Sequence, residues 1–287
     1  MHAGHIGIVG LGLVGRALAQ RLLAAGYQVR GWDVSEVARV EASGLGVRVT
    51  SELKAVNAPT LLLSLPDSSV VTKVLWEEGL ATALAPGTTA LDTTTGTPGD
   101  AVANHTRLAA QGVRFVDVTL SGSSEEIARG EATALVGGPA AKASYRPLVE
   151  TFASRVFFLG QPGHGCLAKL VVNHVMGLNR AALAEGLALG EKAGLESEAL
   201  LEVLQGSAAY SRVMDMKGQR MVARDYAPAS RISQHAKDVR LILELATQAG
   251  ARVPLEEVHA ALLRDAVEAG HGEADNAALI EVFRQEG

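Results

Sequence analysis

The chain has 287 residues, of which 48% are hydrophobic and 20% are charged. This composition excludes an intrinsically disordered chain, because such chains combine few apolar residues with high net charge. The 26 basic and 31 acidic residues give a net charge of −5, which argues against a general nucleic-acid-binding protein. Every apolar run in the sequence is shorter than the roughly 18 residues of a membrane-spanning helix.

The single cysteine, Cys166, excludes an internal disulfide framework and is typical of proteins in a reducing compartment. The first five residues lack the basic region that starts a secretory signal. We therefore predict a cytoplasmic protein with no membrane partner.

Short apolar strands alternate with helical stretches through the first half of the chain. The stretch at residues 13–26, for example, has leucines at helical spacing and ends at a glycine. This alternation predicts a parallel sheet with helices on both faces. The predicted strands cover residues 5–10, 28–33, 60–65, 88–92, 112–117, 132–136 and 155–159.

The second half has no convincing strand pattern after Gly163. Residues 166–194 form one helical pattern, which is longer than a typical globular helix. Glycines and Pro162 cluster just before it, so we predict two domains, residues 1–162 and an all-helical domain at residues 163–287. Further helices are predicted at residues 196–204, 233–249, 254–268 and 274–284.

A glycine-rich loop follows the first predicted strand and opens the first predicted helix. The first glycine of such a loop permits a tight turn, the second lets the backbone approach a pyrophosphate, and the third lets the helix pack closely on the strand. N–H groups at the helix start then face the anion. We interpret the loop as a dinucleotide-binding loop rather than as an ordinary glycine turn. Its sequence is Gly10-Leu11-Gly12-Leu13-Val14-Gly15.

Asp33 ends the second predicted strand, 18 residues after Gly15. A carboxylate at this place can accept hydrogen bonds from the ribose hydroxyls of a dinucleotide. It also repels a 2′-phosphate, and Val34 and Ser35 provide no guanidinium beside it. The residues therefore favour NAD over NADP.

Three more segments stand out beside the glycine loop and Asp33. They are Asp117-Val118-Thr119-Leu120-Ser121-Gly122-Ser123; Gly163-His164-Gly165-Cys166-Leu167-Ala168-Lys169 with Asn173; and Lys237-Asp238 with Leu241, Gly250 and Pro254. In this order and spacing, the four segments together resemble the β-hydroxyacid dehydrogenase family, which includes 3-hydroxyisobutyrate dehydrogenases and tartronate semialdehyde reductases. The resemblance covers nearly the whole chain.

The resemblance implies an α/β fold in which a Rossmann-like, doubly wound parallel sheet is joined by a long helix to an all-helical C-terminal domain like that of 6-phosphogluconate dehydrogenase. It implies reversible hydride transfer between a nicotinamide cofactor and a small β-hydroxy acid, and a homodimer or homotetramer. No metal is expected.

The family's functional positions can be carried over residue by residue. Besides the glycine loop and Asp33, the resemblance assigns cofactor contacts to Ser64, Leu65, Pro66, Thr95 and Lys237. It assigns substrate contacts to Ser121, Gly122, Ser123, Lys169 and Asn173. Of these, Lys169 and Asn173 are the implied catalytic residues.

Lys169 and Asn173 are four residues apart in the long helical pattern and therefore share one helix face. Oxidation of an alcohol by hydride transfer needs a base for the hydroxyl proton. A lysine amine can serve when burial or a neighbouring cation lowers its pKa from the usual value of about 10.4. A lysine and an asparagine at this spacing are, by themselves, more often a solvated surface pair than a catalytic pair. The resemblance to the family favours the catalytic role.

The predicted substrate loop departs from the family pattern Asp-x-Pro-Val-Ser-Gly-Gly. Thr119 replaces the proline, Ser123 replaces the second glycine, and Glu126 and Ile127 stand where a Gly-Ala pair is common. Ser123 and Glu126 also fit a capping box, so a capped helix without a ligand is the alternative. If the loop binds substrate, the added hydroxyls and bulk predict a pocket for a more polar or larger acid.

Two other functions remain as alternatives. An imine reductase commonly carries a different residue at the lysine position, and a non-catalytic nucleotide-binding module is expected to lose that lysine. The presence of Lys169 disfavours both.

Overall fold

An eight-stranded sheet lies at the centre of the first half of the chain in the computed structural model, which describes residues 4–138 and 144–285. The strand order is β3-β2-β1-β4-β5-β6-β7-β8. The strands are β1 His5–Val9, β2 Gln28–Trp32, β3 Arg48–Val49, β4 Thr60–Leu63, β5 Thr89–Asp92, β6 Arg114–Ser121, β7 Ala132–Gly137 and β8 Ala153–Phe158.

Both faces of this sheet are covered. Alternate strand residues belong to two separate buried clusters: Ile8 packs with Leu18 on one face, and Leu63 packs with Leu108 on the other. This explains why a central strand such as β4 is almost continuously apolar rather than alternating with polar residues. The helices of this half are α1 Leu13–Ala24, α2 Glu36–Gly44, α3 Ser68–Thr72, α4 Pro98–Ala109, α5 Ser124–Arg129 and α6 Arg146–Phe152.

The strand order reverses next to β1, which has β2 on one side and β4 on the other. Parallel strands β1, β2, β4, β5 and β6 all end at one edge of the sheet. Ligands of open α/β sheets bind in the crevice at such a switch point, outside the carboxyl ends of the strands. This edge carries the predicted cofactor loops.

One pairing differs from the predicted parallel sheet, because β7 runs antiparallel to β6. The connection between Ser121 and Ala132 holds only the six-residue helix α5. A parallel crossover needs a dozen or more residues, so this connection is too short to return the chain to the same end of the sheet. Strand β3, only two residues long, is absent from the prediction because so short a segment has no period to detect.

The second half is helical, as predicted, and no strand element follows Phe158 in the described part of the chain. An isolated bridge joins Arg231 and Asp275. The prediction of a Rossmann-like sheet followed by an all-helical region is thus confirmed. The helices are α7 His164–Lys192, α8 Ser197–Gln205, α9 Gln219–Val222, α10 Ile232–Ala249, α11 Pro254–Ala266 and α12 Ile280–Arg284.

The chain divides into two compact units, Met1–Lys169 and Leu170–Gly287. The first six residues of the 29-residue helix α7, His164 to Lys169, belong to the first unit and the remainder to the second. The predicted domain boundary at residues 162 and 163 stays a prediction. None of the helices in the described residues is long and apolar enough to cross a membrane.

Candidate active site

The glycine loop between β1 and α1 leaves room for a ligand on one side only. Gly10 has a φ of +94°, and a Cβ there would lie 2.1 Å from the Ser64 carbonyl oxygen. A Cβ on Gly15 would lie 1.9 Å from the Gly10 carbonyl oxygen. Around Gly12, in contrast, the position of a Cβ has no atom within 4 Å among the described residues. The first and third glycines are therefore required by packing, and the second opens a path for a phosphate group.

The N-terminus of α1 has the donors that this phosphate would need. Gly12 is the N-cap residue, and no side chain among the described residues caps the helix. The first N–H groups of a helix have no partner within the helix, and the helix dipole favours an anion there. The loop fits the pyrophosphate of a dinucleotide.

Asp33 lies at the end of β2, beside this loop. Its Oδ2 accepts a hydrogen bond from the Leu11 N–H at 2.7 Å, and its Oδ1 accepts one from the Ser35 N–H at 2.8 Å. A carboxylate can accept about four hydrogen bonds, so these two contacts fix its orientation and leave acceptor capacity for ribose hydroxyls.

Arg39 is a cation at the same strand end that the sequence analysis missed. Its Nη1 donates to the carbonyl oxygen of Asp33 at 2.6 Å and to that of Val34 at 3.2 Å. Arg39 lies near the start of α2, which begins at Glu36, four residues after the end of β2 at Trp32. The prediction that no guanidinium adjoins Asp33 considered only the next two residues.

The loops after β4 and β5 are joined to each other. The Leu65 N–H donates to Thr94 Oγ1 at 3.1 Å, and Thr93 Oγ1 donates to the Leu63 carbonyl at 2.8 Å. The side chains of Ser64, Leu65 and Thr95 are partly exposed and that of Pro66 is exposed. These predicted cofactor contacts thus lie at the same sheet edge as the glycine loop.

Two buried carboxylates lie side by side beneath these loops. Asp92 on β5 and Asp117 on β6 are register partners, 4% and 1% exposed. Burial raises the pKa of Asp92 to about 7, and the charge of Asp117 acts in the same direction. The Thr94 N–H and hydroxyl favour the charged form of Asp92 and offset part of this rise.

Asp117 holds the start of α7. Its Oδ1 accepts the Gly163 N–H at 2.9 Å and its Oδ2 accepts the Cys166 N–H at 3.1 Å. A Cβ on Gly165 would lie 2.8 Å from Asp117 Oδ2 and 2.6 Å from the Leu135 carbonyl oxygen. The Gly-x-Gly sequence therefore lets the helix start approach β6 and β7 closely, and the carboxylate caps its orphan N–H groups.

The predicted substrate loop joins β6 to α5. Ser123 Oγ accepts the Glu126 N–H at 3.2 Å, and Glu126 Oε2 accepts the Ser123 N–H at 2.8 Å, so the predicted capping box is present. Thr119 is fully buried and donates to the Gly165 carbonyl at 2.8 Å, and Ile127 is buried in the core. Of the four departures from the family pattern, Thr119 and Ile127 are buried, whereas Ser123 and Glu126 are partly exposed.

α7 carries Lys169 and, one turn later, Asn173. Lys169 is half-buried and Asn173 is 3% exposed. The Nδ2 of Asn173 donates to Oδ2 of Asp238 on α10 at 3.0 Å. This bond fixes the amide, because only its nitrogen can donate to a carboxylate. The Oδ1 of Asn173 is buried without a hydrogen-bond partner among the described residues, so it is held as an acceptor.

The next turns of α7 are held by polar groups of α10 and α11. A Cβ on Gly177 would lie 2.6 Å from His259 Cε1 and 2.7 Å from His235 Nε2, so no larger residue fits. His174 Nδ1 donates to Oε2 of Glu256, which is fully buried, at 2.8 Å. These contacts fix the helix face that presents Asn173. In the described residues no group of His, Cys, Asp and Glu has the arrangement of a metal site.

The predicted site residues thus fall into two sets. The second unit carries Asn173 and Lys237, the latter half-buried on α10 next to Asp238. The first unit carries the glycine loop, Asp33, Ser64, Leu65, Pro66, Thr95, Ser121, Gly122, Ser123 and Lys169.

Comparison with known proteins identifies the relatives of this arrangement. Residues 5–160 match the family model described as the NAD-binding domain of 6-phosphogluconate dehydrogenase. Residues 163–283 match the model described as NAD-binding of NADP-dependent 3-hydroxyisobutyrate dehydrogenase. L-threonate dehydrogenase of Cupriavidus necator is 32% identical over 284 residues, covering 97% of this chain and 96% of that protein. The chain belongs to the β-hydroxyacid dehydrogenase family.

Solved structures agree with this membership of the β-hydroxyacid dehydrogenase family. The 3-hydroxyisobutyrate dehydrogenase of Mycobacterium tuberculosis, solved with L-serine, has a TM-score of 0.90 at 26% identity and covers 99% of this chain and 100% of that chain. An imine reductase from Pseudomonas sp. has a TM-score of 0.67 at 23% identity, covering 98% and 99% of the two chains, and shows the fold alone. This β-hydroxyacid dehydrogenase is an NAD(P)-dependent oxidoreductase of small hydroxy acids.

Proposed function

We propose that this chain reversibly oxidises a small β-hydroxy acid, 3-hydroxyisobutyrate or a related acid, with Lys169 as general acid/base and NAD as the preferred cofactor. The observation that carries the proposal is the buried amide of Asn173, which Asp238 orients at 3.0 Å so that Oδ1 remains an acceptor. That acceptor lies one helical turn after Lys169 on α7.

Lys169 and Asn173 have different roles at the substrate hydroxyl. Asn173 Oδ1 accepts the hydroxyl hydrogen in the ground state and aligns the oxygen. As the hydride leaves, the O–H turns from Asn173 to Lys169, whose neutral amine accepts the proton; in the reverse direction the Lys169 ammonium protonates the developing alkoxide. A bound nicotinamide would accept a hydride when the alcohol is oxidised and donate one in the reverse direction. Asp117 contributes by fixing the start of α7, and so the helix turn that bears Lys169.

The preference for NAD rests on Asp33. Its carboxylate is fixed by the Leu11 and Ser35 N–H groups with acceptor capacity to spare, which suits ribose hydroxyls and repels a 2′-phosphate. Arg39 offsets part of that repulsion, but its Nη1 is already shared between two carbonyl oxygens. We therefore expect a preference rather than an absolute choice.

Several further parts of the proposal rest on the family membership. They are cofactor contacts by Ser64, Leu65, Pro66, Thr95 and Lys237, substrate contacts by Ser121, Gly122 and Ser123, the domain boundary at residues 162 and 163, a homodimer or homotetramer, and a cytoplasmic location.

The test is NADH formation from a panel of 2- and 3-hydroxy acids near pH 9, with Lys169→Ala and Lys169→Arg. General acid–base catalysis contributes about 10²–10⁴-fold, so Lys169→Ala should lower kcat by at least a hundredfold while calorimetry shows NAD binding retained. Lys169→Arg should not rescue it, because a guanidinium stays protonated. Lys192→Ala, at the exposed far end of the same helix, is the control and should match the wild type.

Two results would contradict the proposal. Wild-type protein that binds NAD but oxidises none of the acids would favour the non-catalytic module or, with imine turnover, the imine reductase. A Lys169→Ala variant that keeps most of its turnover would remove this lysine from the mechanism and make Lys237 the next candidate.

A further inference from the structure

The loop predicted to bind the substrate carboxylate already holds a carboxylate of this chain. Glu126 Oε2 accepts the Ser123 N–H at 2.8 Å, while Ser123 Oγ accepts the Glu126 N–H at 3.2 Å. A backbone N–H donates effectively to one acceptor at this distance. A substrate carboxylate would therefore have to displace Glu126 to use the Ser123 N–H.

The glutamate carboxylate also lies against the middle of the loop. A Cβ on Gly122 would be 3.3 Å from Glu126 Oε2. Gly122 itself is exposed with a φ of +144°, whereas Ser121, Ser123 and Glu126 are partly buried. An incoming group that reaches this exposed glycine thus comes within a few ångströms of a partly desolvated carboxylate, where Coulomb interactions are stronger than in bulk water.

The position of Glu126 is fixed rather than incidental. The reciprocal hydrogen bonds tie it to Ser123, the N-cap residue of α5, and the next residue, Ile127, is anchored in the core at 1% exposure. The neighbouring Glu125 is exposed and makes no such contact with the loop in the described residues. Glu125 and Glu126 therefore carry the same carboxylate, but only Glu126 is hydrogen-bonded to the loop, so Glu125 is a matched control for it.

We infer that Glu126 determines substrate specificity: it disfavours short acids that dock their carboxylate on residues 121–123, and it selects a hydroxy acid that presents a further hydroxyl group to this loop. A hydroxyl can donate to the carboxylate of Glu126, forming a charge-assisted hydrogen bond. A second carboxylate at the same place meets like-charge repulsion. The inference rests on the proposed function and narrows its substrate class to polyhydroxylated acids.

The experiment compares Glu126→Gln with Glu125→Gln. Glutamine keeps the acceptor that a capping box needs, so only the charge is removed. The substrates are L-threonate, which has further hydroxyl groups, and 3-hydroxyisobutyrate, which has a methyl group instead. We expect wild-type kcat/KM to favour L-threonate, and Glu126→Gln to shift the ratio towards 3-hydroxyisobutyrate by about tenfold or more, mostly through KM, because like-charge juxtaposition is costly.

Glu125→Gln should leave the ratio within about twofold of wild type, because its charge is exposed and screened. Glu126→Ala is the second variant and should shift the ratio in the same direction even if the loss of the cap lowers its thermal stability. Equal ratios for wild type, Glu126→Gln and Glu126→Ala would overturn the inference. So would an equal shift in Glu125→Gln.

Binding separates this inference from the proposed function. If the wild type turns over neither acid, the proposed function fails, and calorimetry of both acids with NAD present still tests Glu126. Tighter 3-hydroxyisobutyrate binding by Glu126→Gln than by Glu125→Gln would support the inference in that case, and equal affinities would refute it.

Discussion

Replacement of Gly165 by alanine tests whether the close approach of α7 to the sheet positions the proposed catalytic lysine. The new Cβ would lie 2.6 Å from the Leu135 carbonyl oxygen and 2.8 and 2.9 Å from Asp117 Oδ2 and the Asp117 carbonyl oxygen. Ordinary van der Waals contacts of a Cβ begin at 3.4 Å. Two of these three neighbours are backbone atoms of β6 and β7, which cannot rotate away.

The magnitude follows from those distances. Relief of the clash requires the first turn of α7 to move by about 0.5–0.8 Å, and overpacking of this kind costs about 1–3 kcal/mol. The gain in helix propensity from glycine to alanine, about 0.5–1 kcal/mol, offsets part of this cost. Because a misplacement of about 1 Å can reduce catalysis about 10²-fold, the same shift at Lys169, one turn later, should lower kcat by at least about tenfold.

The assay is kcat on the best hydroxy acid together with thermal unfolding followed by circular dichroism. Gly186→Ala is the matched control, because Gly186 lies in the same helix and a Cβ there meets no atom within 4 Å among the described residues. It should keep kcat and should unfold at the same or a higher temperature. If Gly165→Ala keeps wild-type kcat and stability, the close packing of this turn does not position Lys169.

Two other predictions concern carboxylates of the same sheet edge. Asp33→Ser with Val34→Arg should shift the ratio of kcat/KM from NAD towards NADP, because it removes a repulsion and adds a phosphate partner; equal use of both cofactors by the wild type would contradict the role of Asp33. Burial raises the pKa of Asp92 to about 7. The proton that the folded state therefore holds more tightly stabilises the fold fully below about pH 4, and this stabilisation is lost as the pH rises to about 7. Asp92→Asn keeps the acceptor for the Thr94 N–H and removes the charge. It should be more stable than wild type at pH 8, by up to about 4 kcal/mol, but not at pH 4.5. If urea unfolding gives the same difference between the two proteins at both pH values, this reasoning about Asp92 is refuted.

Local features of the fold followed from the sequence. The spacing of Gly10, Gly12 and Gly15 is set by backbone contacts within one strand–turn–helix unit, and the structure shows the tight contacts at the outer two. The long helix was predicted at residues 166–194 and lies at His164–Lys192, because its apolar periodicity is continuous. The Ser123–Glu126 capping box also depends only on neighbours in sequence.

Features that depend on residues far apart in the chain could not be predicted from local sequence patterns. Asp117 caps a helix start that is 46 and 49 residues away in sequence, and no local pattern reports such a contact. The hydroxyl of Thr119 was expected to reshape a pocket, yet the fold buries it against Gly165.

The capping of α7 by Asp117 decides where the nucleotide-binding half can be separated from the rest of the chain. A fragment that stops at residue 162 would lose the Gly163 and Cys166 N–H groups that bind the carboxylate of Asp117, which is 1% exposed in the whole chain. An unsatisfied buried charge is among the costliest defects in a protein interior. A fragment intended to fold alone should therefore retain residues through Lys169, so that the first six residues of the long helix complete the nucleotide-binding unit.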